Sequence, residues 1–130
     1  MLAGLSNLRG ERMARVTGIG GAFLRSKNPE ALYAWYEKHL GLQRRDGYFA
    51  FDAVNQRGSA VVAFFAQDSG YFPVTQPAML NFQVDDLDAT LDALIAAGVN
   101  VDAKRDRYDF GDFGWFTDPD GNRVELWQPK

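Results

Sequence analysis

The sequence contains no cysteine and only one histidine, His39. Without cysteine the protein can form no disulfide, no thiolate nucleophile and no cysteine-ligated zinc site, and this composition suits a reducing cytoplasm. No apolar run approaches the about 20 residues that cross a membrane. The formal net charge of −3 does not provide the basic face that nucleic acids require. We therefore expect a cytoplasmic protein with neither a membrane nor a nucleic acid as its partner.

The length of 130 residues, of which 46% are hydrophobic, suffices for one domain with a substantial core. Residues 1–12 lack the long apolar segment and the small-residue cleavage site of a signal peptide. We predict that residues 1–12 are a mobile N-terminal extension and that residues 13–130 form a single domain.

The first half of the domain opens with Val16–Arg25, an apolar, glycine-rich run that predicts a strand. A helix follows, with Asn28 as its N-cap, an apolar stripe at helical spacing and Gly41 at its C-terminal end. Two further runs, Tyr48–Asp52 and Ala60–Phe65, predict strands.

The same order returns after residues 68–77, where one glycine and two prolines predict a linker. Residues 78–84 alternate between apolar and polar side chains, as in a strand with one buried face. Asp85 or Asp86 then caps a second helix, which ends at Gly98.

The last part of the chain predicts a β-hairpin around residues 118–122, DPDGN, where proline presets one backbone angle and glycine tolerates a positive φ. Because side chains alternate along a strand, Val124 and Leu126 share one face, and Glu125 and Trp127 share the other. If Thr117 pairs with Arg123 in this hairpin, Trp115 lies opposite Glu125. A carboxylate in such aromatic surroundings needs water, a partner or a ligand.

The order strand–helix–strands therefore occurs twice, in about residues 16–67 and again in residues 78–129. We predict an α+β fold of two βαβββ modules, whose sheets lie side by side and form a cup. Met79, Asn81, Gln83, Glu125 and Trp127 would line its inside.

The ordered set of these elements, with the helix NPEALYAWYEKHLGL and the ending FTDPDGNRVELWQP, resembles the vicinal oxygen chelate superfamily, which includes glyoxalase I, bleomycin-resistance proteins and extradiol dioxygenases. The resemblance covers about Val16–Pro129. It implies two tandem βαβββ modules that form a U-shaped mixed sheet, and a homodimer.

Metal-dependent members of this superfamily carry ligands on the first and last strands of each module. The matching positions here hold Gly21, Val62, Met79 and Glu125, so three of the four lack an ordinary zinc or iron ligand. We therefore expect no metal cofactor, although the family often binds a divalent ion. The protein does not fit a typical metal-dependent glyoxalase I, or an extradiol dioxygenase with its two histidines and one carboxylate.

Glu125 has two interpretations. In an aromatic cup a carboxylate can have a raised pKa and act as a catalytic base, with lyase or isomerase chemistry like that of glyoxalases. Alternatively it is a former metal ligand that is now solvated or paired, with Arg25 as the natural partner. Arg25 could instead clamp an anionic group of a substrate.

Aromatic walls with a few polar groups are typical of small-molecule sites. We expect a small organic ligand in the cup, and either catalysis by Glu125 or binding without catalysis, as in drug-sequestering proteins of the bleomycin-resistance type. The predicted ligand-binding residues, apart from Glu125, are Phe23, Arg25, Met79, Asn81, Gln83, Trp115 and Trp127.

Overall fold

The computed structural model describes residues 21–57 and 59–130. The predicted extension, residues 1–12, and residues 16–20 of the first predicted strand lie outside this part. The described elements are helices α1 (Pro29–Leu40) and α2 (Leu87–Ala96), one 3-10 turn (Ala53–Asn55), and strands β1 (Arg44–Arg45), β2 (Tyr48–Phe49), β3 (Asn81–Gln83), β4 (Asn100–Val101), β5 (Asp106–Tyr108), β6 (Gly111–Thr117) and β7 (Arg123–Pro129).

Strands β3 to β7 form a mixed sheet in which β7 lies between β3 and β6. Strand β3 runs parallel to β7, and the β6–β7 hairpin is antiparallel with Thr117 opposite Arg123. Strands β4 and β5 pair antiparallel with successive parts of β6. The second half of the chain thus has the predicted order of strand, helix and strands, and the α+β class is confirmed.

The helix ends follow the local sequence signals. The side chain of Asn28 accepts a hydrogen bond from the Ala31 backbone N–H, and Asp86 caps α2 through Ala89 in the same way. Gly41, just after α1, has a φ of 72°, the left-handed conformation that ends many helices. These predicted boundaries are confirmed.

The hydrophobic core lies between the two helices and one face of the mixed sheet. Leu87, Leu91 and Leu94 of α2 are buried against Val124 and Leu126 of β7, with Tyr36 and Phe116 in the same cluster. Gly114 permits the close approach of α2, because a Cβ there would lie 2.4 Å from Cδ1 of Leu91. The opposite face of β6 and β7 is therefore the one left for a site.

Two predicted strands of the first half are wrong within the described residues. Residues 21–25 and 60–65 form no strand, and Phe64 is 96% exposed. A run of strand-forming residues becomes a strand only where another edge can pair with it. Among the described residues of the first half, the strands are those of the short hairpin of β1 and β2, which pair with each other. The predicted sheet of the first module is thus not formed in this part of the chain.

The two helices have 12 and 10 residues. Among the described residues, no helix has the length and apolar character needed to cross a membrane.

Candidate functional site

One face of the mixed sheet is turned away from the core. On this face, polar and aromatic side chains of neighbouring strands lie next to each other. Asn81 on β3 is the register partner of Glu125 on β7, which in turn is opposite Trp115 on β6. One step further along the sheet, Gln83 is opposite Trp127. Because residues two apart in a strand share a face, these five predicted site residues lie on one side of the sheet.

A cleft of about 850 Å³ borders this face. Asn81, Gln83, Glu125 and Trp127 contribute to its lining from the sheet. Aromatic residues of the first half, among them Phe51 and Phe65, also contribute to the lining. Met79 also lines the cleft, as the sequence predicts.

The Glu125 side chain is buried, with the residue 7% exposed, and it accepts hydrogen bonds from three uncharged donors. The Asn81 amide Nδ2 donates to Oε1 at 2.6 Å, and the Trp115 indole Nε1 donates to Oε2 at 3.0 Å. The Tyr71 hydroxyl also donates to Oε2. Both oxygens of this carboxylate therefore have partners from the protein itself.

Tyr71 belongs to the segment Ser69–Pro77, which we call the strap; the sequence predicts it as part of a linker. The Arg123 side chain donates from Nε to the Tyr71 carbonyl oxygen at 3.2 Å. The Gln76 amide exchanges two hydrogen bonds of 2.9 Å with the backbone of Arg123. Burial, followed by the hydrogen bond to Glu125, raises the pKa of the Tyr71 hydroxyl.

Trp115 is on the predicted face but does not line the cleft. It is only 1% exposed, and the Tyr71 ring contacts it edge-on at a centroid distance of 5.9 Å. The guanidinium of Arg123 lies 5.2 Å from the indole centroid. Trp115 therefore supports Glu125 from beneath the strap, whereas Trp127 remains half-buried at the cleft.

Trp127 is held on the sheet by Phe113, whose ring is parallel to the indole at 5.9 Å. Its indole Nε1 donates to the Phe110 carbonyl oxygen at 3.4 Å. Gly111 makes this position possible, since a Cβ there would lie 2.1 Å from Trp127 Nε1. The indole thus presents a fixed aromatic surface to the cleft.

Two of the predicted site residues lie elsewhere. Phe23 is 99% exposed, and Arg25 is exposed as well; neither contributes to the cleft lining. The suggested pairing of Arg25 with Glu125 is wrong, because the carboxylate is engaged by Tyr71, Asn81 and Trp115. The absence of a strand at residues 21–25 explains this, since the pairing assumed one.

The sequence interpretation missed Tyr71. An isolated tyrosine in a stretch of turn residues carries no periodicity and no motif. Its role depends on a contact with a residue 54 positions later in the chain.

The side chains at the family's metal-ligand positions do not fit a divalent metal ion. The Glu125 oxygens face three hydrogen-bond donors, whereas a metal ligand must direct lone pairs at the ion. Gly21 and Val62 supply no ligating side-chain atom, and Met79 offers only a thioether. Within residues 21–57 and 59–130, no group of three acidic, histidine or cysteine side chains could hold an ion.

Comparison with known proteins identifies the family. The protein-family model described as "Glyoxalase/Bleomycin resistance protein/Dioxygenase superfamily" matches residues 15–126. The chain is similar to the crystal structure of TnmS3, an antibiotic binding protein from Streptomyces sp. CB03234, with 26% identity, a TM-score of 0.50, and coverage of 80% of this chain and 88% of that one. A search of curated proteins gives no match.

Two further structures are similar over different lengths. A lactoylglutathione lyase from Agrobacterium tumefaciens has 20% identity and a TM-score of 0.50, with 81% of this chain and 88% of that one covered. A glyoxalase/bleomycin resistance protein, also from Streptomyces sp. CB03234, has 36% identity and a TM-score of 0.36 over 40% of this chain. This match spans 46% of the length of that protein. A separate match, to a structure described as a conserved domain protein, spans 49% of the length of that protein.

The family model covers most of the chain, and the α+β fold with its mixed sheet agrees with it. The protein therefore belongs to the glyoxalase/bleomycin resistance protein/dioxygenase superfamily.

Proposed function

We propose that this protein binds a small aromatic organic ligand in the cleft beside β3 and β7, and that it sequesters this ligand without a bound metal and without converting it. The observation that carries the proposal is the cleft itself. Its volume of about 850 Å³ falls within the range of small-molecule sites, which have apolar and aromatic walls and few polar groups.

The aromatic character of the ligand follows from the walls. Phe51 lines the cleft and is 61% exposed although it is a large apolar residue. Trp127 presents a fixed indole from the sheet. Flat apolar surfaces of this kind favour a planar ligand, because aromatic pairs gain energy beyond their buried area.

The polar groups of the cleft give orientation. Asn81 and Gln83 lie side by side with Glu125 and Trp127 on adjacent strands. The Gln83 side-chain oxygen accepts a hydrogen bond from the Arg57 backbone N–H at 2.8 Å. This bond fixes the orientation of the Gln83 side-chain amide. This arrangement leaves amide N–H groups that can donate to a ligand carbonyl.

Sequestration is favoured over a lyase or isomerase reaction because of the surroundings of Glu125. A general base must bring an oxygen within hydrogen-bond reach of the proton that it removes. In the protein without a ligand, Oε1 accepts from Asn81, and Oε2 accepts from Trp115 and Tyr71. Each oxygen keeps a donor that belongs to the sheet, Asn81 or Trp115, even when a ligand takes the place of Tyr71. The similarity to an antibiotic binding protein supports the same class of function.

Paired variants test the cleft. Phe51→Ala removes a ring that lines it, whereas Phe110→Ala removes an equally exposed ring outside it, with 61% and 62% exposure respectively. Ligand at 100 times its Kd adds about 2.7 kcal/mol of stability. We expect some compounds of an aromatic panel to raise the Tm of wild type and Phe110→Ala, but to raise that of Phe51→Ala much less. A panel without any shift, or equal shifts in both variants, contradicts the proposal.

Two further measurements address chemistry and metal. The bound compound should be recovered unchanged after long incubation with stoichiometric protein; conversion that Glu125→Gln abolishes would support a lyase or isomerase instead. Elemental analysis should find no stoichiometric zinc, nickel or iron in the purified protein.

We propose, from the family resemblance, that the protein forms a homodimer in the cytoplasm. Light scattering on the purified protein tests the dimer, and a mass of about one chain contradicts it.

A further inference from the structure

Tyr71 is placed where a ligand would meet Glu125. Its ring stacks on Phe65 with centroids 5.1 Å apart and meets Trp115 edge-on, while its hydroxyl donates to Glu125. Phe65 and Glu125 both line the cleft. The phenol group of Tyr71 therefore covers Oε2 of Glu125, between the rings of Phe65 and Trp115.

The chemistry of this position selects for a hydrogen-bond donor. An ionised carboxylate only accepts hydrogen bonds. Asn81 and Trp115 belong to the sheet and stay where their strands hold them, so the group that reaches Oε2 from the strap side must bring its own O–H or N–H. If a ring without a donor replaced Tyr71, Oε2 of Glu125 would lose the hydrogen bond that the Tyr71 hydroxyl donates. The loss of a hydrogen bond at a buried carboxylate costs free energy.

We infer that the subsite at Glu125 recognises a phenol-like group, meaning an aromatic ring that carries an O–H or N–H donor, and that Tyr71 occupies this subsite until such a ligand displaces it. This inference deepens the proposed function and rests on it. It names the class of ligand and the residue with which that ligand competes.

The Tyr71 side chain can move away from Glu125 while the rest of the strap stays attached to the sheet. The residue Tyr71 is 36% exposed. The Gln76 amide fixes the C-terminal part of the strap to the backbone of Arg123. At Tyr71 the carbonyl oxygen accepts from the Arg123 side chain, and the backbone N–H donates to Ser69 Oγ within the strap itself. Segments with few buried contacts open at low free energy. The strap would therefore swing at its Tyr71 end while its Gln76 end remains attached.

A matched pair of ligands tests the donor requirement. We use 2-naphthol and 2-methoxynaphthalene, which share the ring system but differ in the O–H group, and measure both Kd values by calorimetry. We expect 2-naphthol to bind about tenfold tighter, which corresponds to one hydrogen bond to a charged acceptor. Equal affinity of the two compounds overturns the inference.

A matched pair of variants tests the competition. Tyr71→Phe keeps the ring but removes the donor, so 2-naphthol should bind about fivefold tighter than to wild type. Tyr48→Phe makes the same change at a 55% exposed tyrosine outside the cleft lining, and should leave the Kd unchanged. An unchanged Kd in Tyr71→Phe overturns the inference.

Displacement can also be observed directly. In protein labelled with 3-fluorotyrosine, the ¹⁹F resonance of Tyr71 is the one that Tyr71→Phe removes. It should shift on addition of 2-naphthol and remain in place with 2-methoxynaphthalene. Binding of 2-naphthol with an unmoved Tyr71 resonance also overturns the inference.

The outcomes separate the two proposals. If both compounds bind equally and Phe51→Ala weakens both, the aromatic cleft stands and only the donor subsite fails. If neither these two compounds nor any member of the aromatic panel binds, the proposed function fails and the subsite fails with it.

Discussion

Trp115 donates its indole N–H to the carboxylate of Glu125 at 3.0 Å, from the position directly opposite on the neighbouring strand. The contact is buried, with the two residues 1% and 7% exposed. A cross-strand pair thus fixes the carboxylate at the centre of the sheet face. Asn81 holds the other oxygen from the third strand.

Substitution of Glu125 should depend strongly on whether an acceptor remains. Glu125→Leu leaves the Trp115 and Asn81 donors without a partner and should lower the free energy of unfolding by about 2–4 kcal/mol. Glu125→Gln keeps one oxygen for Trp115 and Tyr71, and the Asn81 amide can turn its own oxygen toward the new amide nitrogen. We expect this variant to lose only about 1 kcal/mol.

Urea denaturation of wild type, Glu125→Leu and Glu125→Gln measures these differences in the free energy of unfolding. Equal losses for Glu125→Leu and Glu125→Gln would show that the donors do not depend on an acceptor at this position.

A second buried hydrogen bond joins α1 to the β6–β7 turn. The Tyr36 hydroxyl donates to Asp118 Oδ2 at 2.8 Å, and Asp118 also accepts from the backbone N–H groups of Asp120 and Asn122. Burial and the neighbouring Asp118 carboxylate raise the pKa of Tyr36. Tyr36→Phe should therefore cost about 1–2 kcal/mol at neutral pH.

The pH dependence of this contribution has a definite sign. Because the folded-state pKa of Tyr36 is raised, its stabilisation is fully present below the unfolded tyrosine value of about 10 and is lost as the pH rises above it. The difference in stability between wild type and Tyr36→Phe should be constant from pH 7 to 9 and shrink at higher pH. A difference that stays constant up to pH 11 contradicts this reading.

Much of the second half of the chain could be predicted because its signals are local. The DPDGN turn places Gly121 at a φ of 85° and uses Asp118 as the acceptor for its backbone, so the register of the hairpin follows. That register, with strand alternation, brings Trp115, Glu125 and Trp127 to one face. Local turn chemistry and the period of two were sufficient here.

The remaining features depend on contacts that no local pattern encodes. Residues 60–65 have strand-forming side chains but pair with no strand in the part of the chain that the structure describes. Trp115 was predicted on the correct face, but its burial comes from the strap and from Arg123. Tyr71 itself is a single residue in a linker. Its distance of 54 positions from Glu125 in the sequence makes its role visible only in three dimensions.

Gly111 should tolerate no side chain. Its φ is 153°, and a Cβ would lie 2.1 Å from Trp127 Nε1 and 2.8 Å from the Gln128 carbonyl oxygen. Gly111→Ala should lower the free energy of unfolding by about 2 kcal/mol or more, because the backbone or the indole must move. It should also weaken ligands that contact Trp127.

Gly70→Ala is the matched control, because a Cβ at Gly70 meets nothing within 4 Å. Its stability should stay within about 0.5 kcal/mol of wild type. Comparable losses in the two variants would mean that the contact with Trp127 is not the cause.

The Asp112 carboxylate provides a test of how stability depends on acidic pH. Lys130 Nζ lies 2.9 Å from its Oδ1, and Arg107 lies 3.0 Å from its Oδ2. The Lys130 ammonium, and then the Arg107 guanidinium, lower the pKa of this carboxyl. Because the folded-state pKa is lowered, the stabilisation is present above the unfolded aspartate value of about 3.9 and is lost as the pH falls below it.

Asp112→Asn should therefore be less stable than wild type at pH 7, and the difference should shrink below about pH 4 and in 1 M salt, where exposed charges are screened. Asp109→Asn is the control, since Asp109 is exposed and forms no ion pair within the described part of the chain. Its stability should stay within about 0.5 kcal/mol of that of wild type at pH 7. If Asp112→Asn also follows wild type from pH 7 to 3, the Lys130 and Arg107 contacts contribute nothing measurable.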